Sequence, residues 1–99
     1  MVEPWLVSLE LTRDDGGALD DEGLRQLNEQ LANTGVNPVL SRPDPGTVLV
    51  KLTVDARNDM EARGAAEHVL REKASTLWSA LGLPPFTIAA LATERADDD

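Results

Sequence analysis

The chain has 99 residues, a length that suits one domain. Its 18 acidic and 9 basic side chains give a formal net charge of −9, and such a surface repels phosphate backbones and anionic lipid, so we expect neither nucleic acid nor a membrane as a partner. The sequence has no cysteine, which excludes disulfides, thiolate metal sites and cysteine nucleophiles.

The first eleven residues predict no secretory signal. They carry Glu3, Pro4 and Glu10 and lack the basic region that opens a signal peptide. No apolar run in the chain approaches the roughly 20 residues that a membrane-spanning helix needs. We therefore expect a cytoplasmic protein.

Residues 5–12 predict the first strand, because apolar and polar side chains alternate there. One face carries the apolar residues Trp5, Val7, Leu9 and Leu11, and the other carries Leu6, Ser8, Glu10 and Thr12. A turn rich in aspartate and glycine follows at 13–17.

Residues 20–34 predict an amphipathic helix, because Leu24, Leu27 and Leu31 recur at helical spacing. Asp20 is a suitable N-cap, and Gly35 is placed to follow the helix at the C′ position.

Residues 36–42 predict a short second strand. It contains Pro38, which cannot donate a hydrogen bond to a neighbouring strand, so we expect this strand at an edge of the sheet. The turn at 43–46 contains two prolines, an aspartate and a glycine, and the alternating residues 47–55 then predict the third strand.

Residues 58–81 predict a long helix, with Asn58 as N-cap and Glu61 three positions later. Its expected buried stripe consists of Ala66, Leu70, Ala74, Leu77, Trp78 and Leu81, with Val69 beside it. Gly64 weakens the helix and is expected to allow close approach to the sheet. Gly82 and the two following prolines end the helix, and residues 86–93 predict the last strand.

The resulting order is βαββαβ, an α+β fold in one domain of residues 1–93 followed by a flexible acidic tail, 94–99. Right-handed crossovers place both helices on one face of a four-stranded antiparallel sheet with strand order 4-1-3-2. This order puts the Pro38 strand at an edge, in agreement with its proline.

The segment 50–57 reads Val-Lys-Leu-Thr-Val-Asp-Ala-Arg and runs into an alanine-rich helix that closes with Leu-Gly-Leu-Pro at 81–84. With the element order, this resembles the ferredoxin-like (α/β-plait) superfold, and in particular small bacterial plait modules. The resemblance covers nearly the whole chain and implies a fold. It implies no activity, because the superfold supports many unrelated functions.

A sheet covered by helices on one side leaves its other face open. The residues predicted to form an interface on this open face, or at the last strand, are Leu6, Ser8, Glu10, Leu49, Lys51, Thr53, Thr87, Ala89 and Leu91, with Thr12, Val39, Ser41 and Thr93 around them. Only Glu10 and Lys51 among them are charged, and we expect them to pair across the two central strands. Such a face is unusually apolar for an acidic chain, which favours contact with a second copy or a protein partner. The alternative is an ordinary threonine-rich face that meets solvent, since threonine favours strands in any case.

The last strand offers a competing interface. Residues 87–93 contain no charge and no proline, and an edge strand of this kind invites pairing with another strand.

We predict no catalytic residues, no metal site and no cofactor. His68 is the only histidine and is expected to be a solvated helix residue. The acidic stretch 14–22 lacks the alternating oxygen ligands and closing glutamate of a calcium-binding loop. Trp5 and Trp78 are expected to serve packing.

Three functions remain open at the level of the sequence. The first is a non-enzymatic assembly module that forms a homodimer or binds a protein through the open face or the last strand. The second is a small-ligand regulatory domain of the ACT-like kind, with residues 14–18 as the contact region. The third is a small enzyme with a cleft on the open face, for which Glu10, Lys51 and His68 are the candidates.

Overall fold

The computed structural model describes residues 2–15, 17, 20–35, 37–44, 46–82 and 85–96. The elements are β1 (Glu3–Arg13), α1 (Asp21–Ala32), β2 (Val39–Asp44), β3 (Thr47–Ala56), α2 (Asp59–Leu81) and β4 (Phe86–Arg95). The predicted βαββαβ order is therefore confirmed.

The four strands form one sheet in the order β2-β3-β1-β4, and every neighbouring pair is antiparallel. This is the predicted order read from the opposite edge, so the α+β class and the topology are both confirmed. The fold is compatible with a ferredoxin-like plait.

One side of the sheet is buried beneath the helices. Alternate residues of β1 and β3 are buried, as the alternation of apolar side chains in the sequence predicts. The core consists of aliphatic and alanine side chains and one tryptophan: Val7, Leu9, Leu11, Leu27, Leu31, Val48, Val50, Leu52, Val54, Ala56, Ala62, Ala66, Leu70, Ala74, Leu77 and Trp78.

The helices differ in what they cover. α2 lies across β1, β3 and β4, whereas α1 packs against α2 and reaches the edge strand β2. In α1, Leu27 and Leu31 are buried and Leu24 is partly buried against the core. Because both helices lie on the buried side, the opposite face of the sheet has no cover from any described element.

Side-chain caps fix the starts of both helices. Gly23 donates its backbone N–H to Oδ1 of Asp20 at 2.8 Å, and Glu61 donates to Oδ1 of Asn58 at 2.9 Å. α2 ends at Gly82, which adopts the left-handed conformation with φ of +67°. The two predicted N-caps and the predicted end of α2 are confirmed.

The buried stripe of α2 differs from the prediction at its two ends. Leu81 was expected to be buried, but 43% of its surface is exposed, whereas Ala62 is fully buried. Gly64 is exposed, and a Cβ built on it meets nothing within 4 Å. The expectation that Gly64 permits close approach to the sheet is therefore wrong.

The second strand begins and ends later than predicted, at Val39–Asp44 instead of 36–42. Pro38 precedes the strand, and Pro43 lies within it, in a stretch where the register with β3 shifts between Ser41 and Asp44. The strand lies at an edge as expected, but Pro43 is the proline that its ladder accommodates.

The ends of two other elements also differ from the sequence prediction. α1 ends at Ala32 with Asn33 as its cap, and Gly35, with φ of +76°, comes two residues after that cap. β4 continues to Arg95, and Ala96 donates its backbone N–H to the carbonyl of Pro4 at 3.0 Å.

A bulge interrupts the pairing of β4 with β1. Leu9 lies opposite Ala90, but Ser8 lies opposite Ala92, so Leu91 is an extra residue on β4. Beyond the bulge the faces exchange, and Thr93 lies opposite the buried Val7. Thr93 was predicted on the open face, and this placement is wrong. Ala92 and Glu94 occupy the open-face positions there.

Candidate functional site

The open face is the side of the sheet that points away from both helices. Strand register arranges its side chains in rows that run across the strands, because directly paired residues of antiparallel strands point to the same side. One row contains Ser41, Leu49, Glu10 and Ala89, and the next contains Val39, Lys51, Ser8 and Ala92. The row before them is made of Thr47, Thr12 and Thr87.

The centre of the open face is a square of four residues on β1 and β3, which we name the central square. Glu10 lies opposite Leu49, and Ser8 lies opposite Lys51. Glu10 and Lys51 thus occupy one diagonal of the square, and Leu49 and Ser8 occupy the other.

Eight of the nine predicted interface residues lie on the open face, and the ninth, Leu91, occupies the bulge. Leu6, Ser8, Glu10, Leu49 and Thr53 are half-buried, whereas Lys51, Thr87 and Ala89 are exposed. Leu91 is 53% exposed, and Val39, opposite Lys51 on the edge strand, is 60% exposed. The face therefore presents aliphatic side chains between small hydroxyl groups, without cover from the described elements.

Glu10 and Lys51 do not pair with each other. Among the described residues, no ion pair within 4.0 Å includes either side chain. They are diagonal neighbours across two strands, a relation that separates Cβ atoms by about 7–8 Å. The expected pairing across the central strands is thus not present within the chain.

Two acidic residues lie at one end of the open face, one in the row of Leu6 and Thr53 and one in the row beyond it. Asp55 lies opposite Pro4, and Glu94 lies opposite Leu6. Asp55 follows from extending the alternation of β3 by two residues. Glu94 reaches this face only because of the bulge, and nothing in residues 86–95 signals that bulge.

The three residues of the enzyme hypothesis do not converge. Glu10 and Lys51 lie on the open face, whereas His68 lies on α2, in the opposite layer. The His68 side chain is 78% exposed and its Nε2 is 3.3 Å from Glu72. In the described part of the chain, no three acidic or histidine side chains are grouped to hold a metal ion.

The turn proposed as a ligand contact is largely engaged with its own chain. Asp14 receives a hydrogen bond from the Thr87 hydroxyl and donates its backbone N–H to Pro85 at 2.8 Å. The guanidinium of Arg13 pairs with Asp15 at 2.8 Å, and Gly17 donates to the same carboxylate at 2.9 Å. Residues 16 and 18 lie outside the described residues.

Two shallow depressions lie away from the central square. One, of about 420 Å³, lies between α1 and β2 and is lined by Asp21, Leu24, Arg25, Asn28 and Leu40. The other, of about 210 Å³, lies where the β4 bulge meets the start of α2 and is lined by Asp59, Arg63 and residues 90–93. Neither contains Glu10 or Lys51.

The side chains with shifted pKa values belong to exposed ion pairs in the helix layer and in the 13–17 turn. The hydrogen bond from Arg25, followed by that from Gln26, lowers the pKa of Glu22 to about 2, and Glu22 in turn raises the pKa of Arg25. The backbone N–H of Gly17 and then the Arg13 guanidinium lower the pKa of Asp15. These shifts reflect surface pairing and mark no buried acid or base.

The tryptophans occupy the packing positions that the sequence predicts. The indole Nε1 of Trp5 donates to the carbonyl of Ala56 at 3.0 Å and ties the start of β1 to the end of β3. Trp78 lies in the core with its ring centroid 5.2 Å from that of Phe86. No helix in the described ranges is long and apolar enough to cross a membrane.

Comparison of the chain with protein-family models, curated proteins and solved structures found no match. The function is therefore inferred from the geometry of the open face.

Proposed function

We propose that this chain is a non-enzymatic assembly module of the ferredoxin-like plait type, whose open face binds a second copy of the chain. The observation that carries the proposal is the chemistry of that face. Leu6, Leu49 and Val39 lie there without a helix over them, in a chain in which 27% of residues are charged. Covering these side chains removes apolar area from water, which favours association.

The competing interface at the last strand is disfavoured by the bulge at Leu91. A bulge twists an edge strand and breaks its regular ladder, which hinders the addition of another strand. The other edge strand, β2, is six residues long and includes Pro43, which also limits pairing. The open face is the larger continuous surface of the two alternatives.

The size of the face predicts a weak and reversible complex. Four strands about 4.8 Å apart and about eight residues of 3.4 Å each give a surface of roughly 500 Å² per copy. The total buried area would be near 1,000 Å², at the lower end of specific interfaces. We expect a dimer that dissociates on dilution in the micromolar range.

The proposal is tested by sedimentation equilibrium of the wild type and of Leu49→Asp over a range of concentrations. The wild type is expected to form a dimer at high micromolar concentration. Leu49→Asp is expected to be monomeric, because it places a charge at the centre of an apolar contact.

Met60→Asp is the matched control. Met60 is 73% exposed at the start of α2, in the helix layer, so the variant adds the same charge without touching the open face and should dimerise normally. Melting temperatures of both variants separate loss of association from loss of fold. A wild type that remains monomeric at high micromolar concentration contradicts the proposal.

A further inference from the structure

This inference rests on the proposed self-association and specifies its geometry. We infer that two copies meet face to face about a two-fold axis, with Glu10 of each copy opposite Lys51 of the other. In a two-fold interface, if residue i of one copy meets residue j of the other, then j also meets i. A single contact between unlike residues therefore occurs twice, and one acid and one base on the face suffice for two ion pairs.

The central square provides this reciprocity. Its two charged side chains lie on one diagonal, and neither has an ion-pair partner among the described residues. Lys51 is exposed and Glu10 is half-buried, so both are available to a partner. Covering the face without pairing them would remove two charges from water with no compensation, which is costly.

The register between β1 and β3 also determines which residues lie near the two-fold axis. Two facing sheets can be related only by a two-fold axis that runs within the interface plane. An axis that brings Glu10 of one copy over Lys51 of the other crosses the line between the Glu10 and Lys51 positions at its midpoint and at a right angle. The other diagonal of the central square, from Leu49 to Ser8, then lies close to the axis. Leu49 of one copy consequently packs near Leu49 of the other, at the dry centre between the two ion pairs.

The charge of the central square favours a second copy over a basic protein. The central square carries one positive and one negative side chain and is neutral, although the chain carries −9. A strongly basic partner would be drawn to carboxylates such as Asp55 and Glu94 at one end of the open face, whereas the neutral square that contains Lys51 gives such a partner no attraction. A neutral, self-complementary square matches another copy of itself.

Charge reversal tests the reciprocal pairing. In a dimer of Glu10→Lys, the new lysine of each copy lies opposite Lys51 of the other, and in a dimer of Lys51→Glu the new glutamate lies opposite Glu10. Because like charges repel, each variant should dimerise about ten- to hundredfold more weakly than the wild type. An equimolar mixture of the two variants should recover the wild-type affinity, because each reversed charge then meets its opposite. The double variant Glu10→Lys/Lys51→Glu should also recover a homodimer.

The measurement is sedimentation equilibrium of each protein, combined with native mass spectrometry of the mixture in which one variant is labelled with nitrogen-15. Glu72→Lys on α2 is the control that matches the change in net charge of Glu10→Lys: its side chain is 60% exposed in the helix layer, and it should not weaken the dimer. Recovery in the mixture also shows that both single variants are folded.

The outcomes separate this inference from the proposed function. If Leu49→Asp dissociates the dimer but the single reversals do not, or if the mixture stays monomeric, the reciprocal pairing is wrong and the assembly role stands. If the wild type is monomeric, both are wrong, and a foreign protein is left as the occupant of the face.

Discussion

The glycines of α2 show how much depends on the position of one residue around a helix. Gly64 lies two residues from the buried Ala62 and Ala66, and two residues correspond to more than half a turn of helix. The buried stripe itself therefore places Gly64 on the solvent side. The prediction of close approach to the sheet at Gly64 was wrong because it considered the small size of glycine and not the angular position of the residue on the helix.

We predict that Gly64→Ala stabilises the protein by about 0.5–1 kcal/mol, because alanine has the higher helix propensity and the added Cβ meets no atom within 4 Å. Urea denaturation measures the change in the free energy of unfolding. The contrasting variant is Gly82→Ala at the end of the same helix, where φ is +67°. It should destabilise by about 1–2 kcal/mol, since an L side chain resists the left-handed conformation. Equal effects of the two substitutions would contradict this assignment.

At the scale of elements, α1 is held to the molecule less firmly than α2. It contacts α2 and the edge strand β2, and its exposed surface carries the cluster in which Arg25 donates to both Glu22 and Glu29. These pairs lie at helical spacings of three and four residues, which brings side chains together on one helix face. Such a network supports the local stability of a helix that buries only part of its surface.

The Glu22 carboxyl gives this network a pH signature. Its pKa is lowered from 4.5 to about 2, so its contribution to stability is complete above pH 4.5 and is lost as the pH falls towards 2. Arg25→Gln should return the pKa of Glu22 towards 4.5 in a carbon-13 NMR titration of the carboxyl groups. The stability difference between wild type and variant, which is small because the pair is exposed, should shrink between pH 4.5 and 2. An unchanged Glu22 titration would exclude Arg25 as the cause.

The elements also show where sequence patterns were sufficient and where they were not. Alternation placed the residues of β1 and β3 on their correct faces, because both strands are central and buried on one side. It failed on β4 beyond Ala90, because an extra residue exchanges the faces and no glycine or proline in 86–95 marks the bulge. The predicted range of β2 was wrong because the chain has prolines at both 38 and 43, and either proline is compatible with an edge strand.

For the whole molecule, the topology followed from element order and the handedness of crossovers, which leave few arrangements of four strands and two helices. The central square could be listed from the sequence, but the absence of a Glu10–Lys51 pair within the chain could not. That absence depends on diagonal placement, which is a property of the register between β1 and β3.

The net charge of −9 should keep copies apart except where the neutral central square meets another. We expect this selectivity to fail near the isoelectric point of about 4.4, where the general repulsion disappears and non-specific association begins. Light scattering between pH 7 and 4 should show a dimer at neutral pH and larger particles near pH 4.4. A constant dimer across this range would show that the acidic surface is not what limits association.

The two edges of the sheet decide how far edge-to-edge association can extend. β4 forms one border and β2 the opposite border, so a contact that joined the β4 border of one molecule to the β2 border of the next would leave both outer borders free and could repeat without limit, as in a growing fibril. The extra residue at Leu91 and the ring of Pro43 make both borders poor templates. We therefore expect the two borders to hinder polymerisation into ribbons.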